Sequence, residues 1–245
     1  VSRYFARVEY DGGTFSGWQK QPGVSTVQGE IERAFSTIFR QDISITGAGR
    51  TDAGVHGRGQ AFHVDLPPVS DGGKIVYSLN ALVGPSIAIY DFKKTSDAFH
   101  ARFSARERTY CYYMATRKMP LYHGSSLYVP SSVDWGYFQR QLNVLTGRHE
   151  FTSFCSSGCY TDNHFCTIRD AFVEERGRNL KVVTIRADRF LYKMVRTIIG
   201  TALDGARGTV GLEFDRLLQK KDRNAAGTTA PAQGLVLEYV RYDEV

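Results

Sequence analysis

Residues 47–60, Gly-Ala-Gly-Arg-Thr-Asp-Ala-Gly-Val-His-Gly-Arg-Gly-Gln, place five glycines in fourteen positions, and no other stretch limits the fold as tightly. Glycine alone takes positive φ without a steric penalty, so the backbone here can turn sharply and approach a ligand closely. Strand-like sequence flanks it. Ile43 and Ile45 alternate with polar neighbours on one side; on the other, Phe62, Val64 and Leu66 alternate with Ala61, His63 and Asp65 until Pro67-Pro68 ends the run. The expectation is two strands, the second half-buried, with a loop displayed between them. Asp52 is then carried at the end of a rigid element, two residues from the guanidinium of Arg50, which favours the ionised acid. Such a carboxylate can serve as nucleophile, base or metal ligand. The same residue type among glycines also serves ordinary turns and helix caps.

Several function classes are excluded early. The stretch is neither the dinucleotide fingerprint nor a phosphate-binding loop, because it lacks Gly-x-Gly-x-x-Gly and any Gly-Lys-Ser/Thr, and no nucleotide cofactor is expected. No run of eighteen apolar residues could span a membrane, and the first residues, Val1-Ser2-Arg3-Tyr4, lack the apolar core of a secretion signal, so a soluble cytoplasmic protein is expected. The net charge is +6 with a pI near 9.1, carried by 22 arginines against 9 lysines. Planar guanidinium groups suit phosphate contacts and base stacking, which favours an RNA partner. Four cysteines in 245 residues are too few for a disulfide framework. Cys155, Cys159, His164 and Cys166 lack paired Cys-x2-Cys spacing, so ordinary loop thiols are expected and no metal site.

Along the chain, residues 3–10 read as a strand ended by Asp11-Gly12-Gly13. Ser25-Thr26-Val27-Gln28 reads as a capping box before a helix whose buried stripe is Val27, Ile31, Ala34, Phe35, Ile38 and Phe39. Phe15 and Trp18 lie in the intervening loop, as core fillers or as stacking rings. A helix at 74–83 and a strand at Ile87, Ile89 and Asp91 complete a β-α-β-β-α-β order, that of a ferredoxin-like unit. Residues 99–108 interleave Arg102, Arg106 and Arg108 with Phe99, His100 and Phe103, a composition that serves RNA contact or a packed connector. A strand at 109–114 follows, then a helix after Ser132 ending at Gly147. A polar loop is expected over 149–166, strands over 168–175 and 180–187, an apolar helix over 190–203 and a short helix around Leu212, Leu217 and Leu218. A strand from Leu235 to Val240 closes the chain. The expected fold is α+β: two pseudo-symmetric, ferredoxin-like (RRM-like) domains, 1–105 and 106–245, whose sheets meet at a central active-site cleft.

Gly49-Arg50-Thr51-Asp52-Ala53-Gly54-Val55-His56 resembles the signature of the TruA family of tRNA pseudouridine synthases. The resemblance extends to Glu9-Tyr10-Asp11-Gly12, Gly17-Trp18-Gln19, Thr26-Val27-Gln28, residues 99–105, Tyr110, Met194-Val195-Arg196, Ala230-Pro231-Ala232 and Gly234-Leu235. It implies that Asp52 is the catalytic nucleophile, that Tyr110 is the active-site tyrosine and that Arg196 points at the nucleophile. It also implies a homodimer acting without a cofactor on the anticodon stem-loop of tRNA, at positions thirty-eight to forty. The uridine must leave its stack before a carboxylate can reach it, and Arg50 is the natural residue to fill the gap or hold the flipped phosphate. Arg58, His63, Lys193, Arg102 and Arg106 join Arg50 and Tyr110 as expected substrate contacts.

Two rivals belong to other classes. Arg58-Gly59-Gln60-Ala61-Phe62 partly fits the RNA-binding pattern of an RRM-like module, with Gln60 where a stacking ring belongs. A metal-dependent hydrolase would draw on Asp52, Asp65, His56 and His63, which lack a recognised ligand spacing.

Overall fold

The computed structural model describes residues 1–130, 132–158, 161–209, 213–243 and 245. The chain divides into two compact units, Val1–Arg106 with Val236–Val245, and Glu107–Leu235.

The first unit follows the expected order: β1 (Ser2–Tyr10), α1 (Val27–Phe39), β2 (Ile45–Gly47), β3 (His56–Leu66), α2 (Gly72–Leu82) and β4 (Ile87–Lys94). β1 runs antiparallel between β3 and β4, and β2 pairs antiparallel with β3. Val27, Ile31, Ala34 and Phe35 are wholly buried on α1 and meet Tyr4, Ala6, Val8, Phe62 and Val64 of the sheet. The helix starts one residue later than the sequence pattern suggests. Thr26 Oγ1 accepts from Gly29 N at 3.2 Å, while Ser25 gives its carbonyl to Ser16 N.

Gln28 is thereby released from capping and turns inward. Its Nε2 donates to Ile45 O at 3.2 Å and to Glu32 Oε1 at 2.8 Å; that same Oε1 accepts from Ile45 N at 3.0 Å. Lys20 Nζ completes the network at Glu32 Oε2, 2.9 Å away. Both backbone groups of the first β2 residue are therefore held by α1, and the strand delivers the chain into residues 48–55 from a fixed position.

β3 differs from the half-buried strand expected. Ala61 and Phe62 are both fully buried and His63 is 6% exposed, because Phe5, Phe99 and Tyr242 pack as an aromatic cluster on the face away from α1. β3 also begins at His56, so the last five residues of the glycine-rich stretch are strand. Three residues of β1, Val8 to Tyr10, stand opposite four of β3, Gln60 to Gly57, a bulge next to the loop.

The second unit contains β5 (Glu107–Ala115), β6 (Leu127–Tyr128), α3 (Trp135–Val144), β7 (Gly147–Glu150), β8 (Phe165–Glu175), β9 (Leu180–Ala187), α4 (Met194–Ala206) and α5 (Phe214–Lys220). β9 lies antiparallel between β5 and β8, β7 extends β8, and β6 adds parallel to β5. The expected loop over 149–166 is thus partly sheet, since Gly147–Glu150 pairs with residues 165–168. Asp134, rather than Ser132, caps α3 by accepting from Tyr137 N at 2.9 Å. α4 begins four residues after Phe190, because Lys193 stands at φ 57° and cannot continue a right-handed helix backwards. Leu212 lies outside the described residues.

The closing strand β10 (Leu235–Arg241) pairs parallel with β3 at Val236–His56 and Leu237–Gly57, and its residues from 236 onward belong to the first unit, although the linear reading ran the second domain to 245. No helix among the described residues is long and apolar enough to cross a membrane.

Replacing Glu32 with Ala removes the partner of Ile45 N and Gln28 Nε2 inside the core. It is expected to lower unfolding free energy by about 2–4 kcal/mol, read from urea denaturation, the cost of stranding buried donors.

Candidate active site

Residues 48–55 leave β2 and return as β3, and the first unit fixes them from beneath. Trp18 N donates to Thr51 O at 3.1 Å, and Tyr10 OH lies 2.8 Å from Thr51 Oγ1. Gly17, at φ +92°, makes the first bond possible: a Cβ there would stand 2.8 Å from Thr51 O. Gly12 is tighter still, since its Cβ would meet Val55 O at 1.9 Å. Ala48 N donates to Ala61 O at 2.8 Å, and Gln60 Nε2 reaches Gly49 O at 2.9 Å. Gln60 is wholly buried, so the residue that spoiled the RNA-binding pattern is an internal clamp on the loop. Within the loop, Val55 N donates to Asp52 O at 3.1 Å, closing a turn that places Gly54 at φ +79°.

Asp52 is half-buried on this turn. Arg50, the partner expected for it, is exposed and its Nε donates to Gln19 Oε1 at 2.9 Å. Trp18, considered as a stacking ring, is 1% exposed and packs under Gly47, so it belongs to the core. His56 Nδ1 lies 3.2 Å from Gly12 N and 3.0 Å from Asp11 Oδ1, which ties the base of the loop to the end of β1.

The other expected contacts in the first unit are scattered. Arg58 is exposed and pairs with Glu238 of β10. Arg106 pairs with Asp243 at 2.9 Å, and Arg102 is exposed with its guanidinium 5.7 Å from the Phe103 ring centroid. His63 is the clear correction. It is buried, its Nδ1 accepts from Ala101 N at 3.1 Å, and its ring packs against Phe99 and His100, leaving almost no surface for RNA. Burial first, then the charges of Arg3 and His100, lowers its pKa from 6.5 to about 4.

In the second unit, Tyr110 lies on β5 opposite Ile185 and meets Phe190 edge to face, ring centroids 5.2 Å apart. Arg196 is the third residue of α4. Its Nε donates to Ala230 O at 2.8 Å and its carbonyl accepts from Ala230 N at 3.0 Å, so both ends of the residue are tied to one loop position. That loop is pressed onto the helix at Gly200, where a Cβ would meet Thr228 O at 2.0 Å, and Tyr112 OH donates to Pro231 O at 2.8 Å. Burial pushes the Tyr112 hydroxyl well above its ordinary pKa, partly offset by Arg196. Lys193 caps the same helix in the left-handed region, with Nζ 4.9 Å from the centroid of the exposed Tyr192 ring. A cation at the N-cap, Lys193, and one in the first turn, Arg196, both oppose the helix dipole, so local stability does not account for them.

The cysteine cluster has other contacts. Cys155 and Cys166 are buried, Cys155 Sγ is 3.7 Å from Ser156 O, and His164 Nδ1 is 2.9 Å from Thr152 Oγ1. Cys159 lies outside the described residues, and among those described no three His, Cys, Asp or Glu side chains are grouped to hold a metal. Asp65, a ligand in the hydrolase reading, instead pairs with Arg3 through two bonds of 2.8 Å.

Tyr10, Gly12, Gly17, Gln19 and Gln60 hold or admit the loop, a part that their place in the sequence does not disclose. The signal was present as short motifs far apart in sequence; their shared target, residues 49–55, met at the backbone by Gly12, Gly17 and Gln60 and at the Thr51 and Arg50 side chains by Tyr10 and Gln19, is visible only when the chain is folded.

Comparison with known proteins gives one answer. The family model described as tRNA pseudouridine synthase matches residues 6–110 and 142–243. The tRNA pseudouridine synthase A of Bacteroides thetaiotaomicron is 39% identical over 247 residues, covering 100% of this chain and 92% of the relative. That of Streptococcus mutans is 38% identical over 247 residues, covering 99% of each. Among solved structures, a Cbf5-Nop10-Gar1 complex aligns with TM-score 0.36 at 8% identity over 81% of this chain and 53% of that one, too remote to carry an argument.

The His63 geometry makes a pH prediction. Between pH 6.5 and about 4 the unfolded chain binds a proton that the folded His63 refuses, so stability falls as pH drops through that window and carries no such penalty above it. The full penalty is at most about 3 kcal/mol. Proton NMR titration of the folded protein is expected to show the His63 imidazole neutral at pH 5.5; a midpoint near 6.5 would contradict the burial.

Proposed function

Because the chain belongs to the tRNA pseudouridine synthase family, we propose that the Asp52 carboxylate is the nucleophile with which this isomerase converts uridine to pseudouridine in the anticodon stem-loop of tRNA. The carboxylate adds to the flipped nucleotide, the bond from N1 to C1′ breaks, the uracil turns, C5 joins C1′, and the bond to the carboxylate breaks to return free Asp52. The C5 proton leaves and N1 gains one, so the product is an isomer and no electrons change hands. The chemistry calls for no cofactor.

The observation that carries this reading is the anchoring of the loop. Thr51 is held through its carbonyl by Trp18 and through its hydroxyl by Tyr10, and the next carboxylate is half-buried on a closed turn. A carboxylate that only capped a turn would need no such support from two other segments. Arg50, exposed and leaning on Gln19, is set to meet the phosphate of the flipped nucleotide, and apart from its chain neighbours no described residue comes within 4 Å of a Cβ built on the adjacent Gly49. In the second unit we assign Arg196 to keep the carboxylate ionised and aimed, and Tyr110 to stack on the uracil. Lys193 beside exposed Tyr192, and Arg102 beside exposed Phe103, pair a cation with a ring as RNA contact requires.

The order of elements in the first unit, with β1 between β3 and β4, supports a ferredoxin-like reading of that unit. On the family pattern, two such domains meet at the active site, and the enzyme works in the cytoplasm as a homodimer, one subunit grasping the tRNA body while the other carries out the chemistry.

Tritium release from C5-labelled uridine in tRNA tests the proposal. Wild type is expected to release tritium in the presence of chelator, and Asp52→Asn to release none while binding tRNA within about twofold of wild type, since only an interaction with the reacting atoms is lost. A hydrolase would lose activity to chelator. A non-catalytic RNA-binding module would show no release in wild type and equal or tighter binding after Asp52→Ala.

A further inference from the structure

The residue immediately before Asp52 carries an interaction that the reaction does not call for. Thr51 is 8% exposed and Tyr10, on β1, is 3% exposed; their hydroxyl oxygens lie 2.8 Å apart. The Tyr10 ring has its own packing reason to be there. It lies against Gly57, where a Cβ would come within 2.4 Å of it, and its centroid is 5.9 Å from that of Trp18. A phenylalanine would meet those contacts equally well. The phenolic oxygen is an additional polar atom that must be satisfied inside the core, and it is matched with the side chain of a loop residue.

That match locks one residue at two points. Thr51 O is pinned by Trp18 N, and Thr51 Oγ1 by Tyr10, while Asp52 O accepts from Val55 N on the other side. The backbone torsions on which the Asp52 side chain depends are bounded at both ends. Loss of the Tyr10 hydroxyl frees the Thr51 side chain and takes from its buried oxygen the partner that holds it.

We propose that Tyr10 is a positioning residue for the reaction: its hydroxyl, acting through Thr51 Oγ1, sets where the Asp52 carboxylate stands, and Thr51 is the link. The inference rests on the reading of Asp52 as nucleophile. A misplacement on the ångström scale at a reacting group costs up to about a hundredfold in rate, even when its source is remote. Binding of tRNA, spread over many other contacts, is untouched by the same shift.

The test measures kcat, KM for tRNA and the thermal midpoint in Tyr10→Phe, Thr51→Val, Thr51→Ser and the Tyr10→Phe/Thr51→Val double variant, with Asp52→Asn alongside. Tyr10→Phe and Thr51→Val are each expected to lower kcat by roughly ten- to a hundredfold with KM within about twofold. Thr51→Ser, which keeps the hydroxyl, is expected to recover most of the rate. The double variant is expected to be no slower than the slower single one, because both remove the same contact. Unchanged kcat in Tyr10→Phe overturns the proposal, as do losses that multiply in the double variant, a failure of serine to rescue, or a rate loss that only follows a fall in thermal midpoint. Product formation by Asp52→Asn would instead remove the nucleophile reading itself, a result distinct from an inactive Asp52→Asn beside a fully active Tyr10→Phe.

Discussion

The backbone hydrogen bond from Trp18 N to Thr51 O ties the middle of the functional loop to the body of the first unit. It exists because Gly17 has no side chain, and a Cβ there would stand within 2.8 Å of the acceptor. Around it the same logic repeats. Gly12 admits the carbonyl of Val55, Gly47 lies on the Trp18 ring, and Gly57 lies on the Tyr10 ring. The glycines are places where two segments come closer than side chains allow, and only Gly17 and Gly54 among those at the loop use positive φ. A loop that would be mobile by composition is thereby made part of the packed structure, with its carboxylate at the edge.

The second unit shows a related trade at α4. Arg196 and Lys193 stand in or before the first turn, where the helix dipole disfavours cations by about 0.3–1 kcal/mol each. Lys193 adds a left-handed backbone conformation, uncommon for a side chain of its kind. The fold compensates by tying Arg196 to Ala230 at both ends and by pressing the 228–231 segment into the space left at Gly200. Local rules are broken here at a place that is strongly held from outside, so the helix itself does not account for the two cations.

Much of this was legible in the sequence, and the limits are instructive. α1 could be read from helical spacing because it buries one regular stripe, and β1, β3 and β9 from their β-forming residues, although all three bury both faces along much of their length. The loop and Asp52 were legible from glycine density and from resemblance. Three things were not. Thr26 and Ser25 are equivalent as caps until Ser16 claims the Ser25 carbonyl. His63 looks like a polar residue on a half-exposed strand until Phe5, Phe99 and Tyr242 cover its other face. Arg50 is close to Asp52 in sequence, yet the turn sends its guanidinium to Gln19. In each case the decisive partner is distant along the chain, and periodicity carries no information about it.

The central claim is that the Asp52 loop is rigid before substrate arrives. Native-state amide hydrogen exchange at Trp18 and Val55, the donors to Thr51 O and Asp52 O, tests it most directly. If the loop is part of the packed unit, both amides exchange through the same large openings as the β1–β3 ladder, with comparable protection. Fast exchange at these two positions, beside a ladder that stays protected, would show a carboxylate on a freely moving loop and contradict the account.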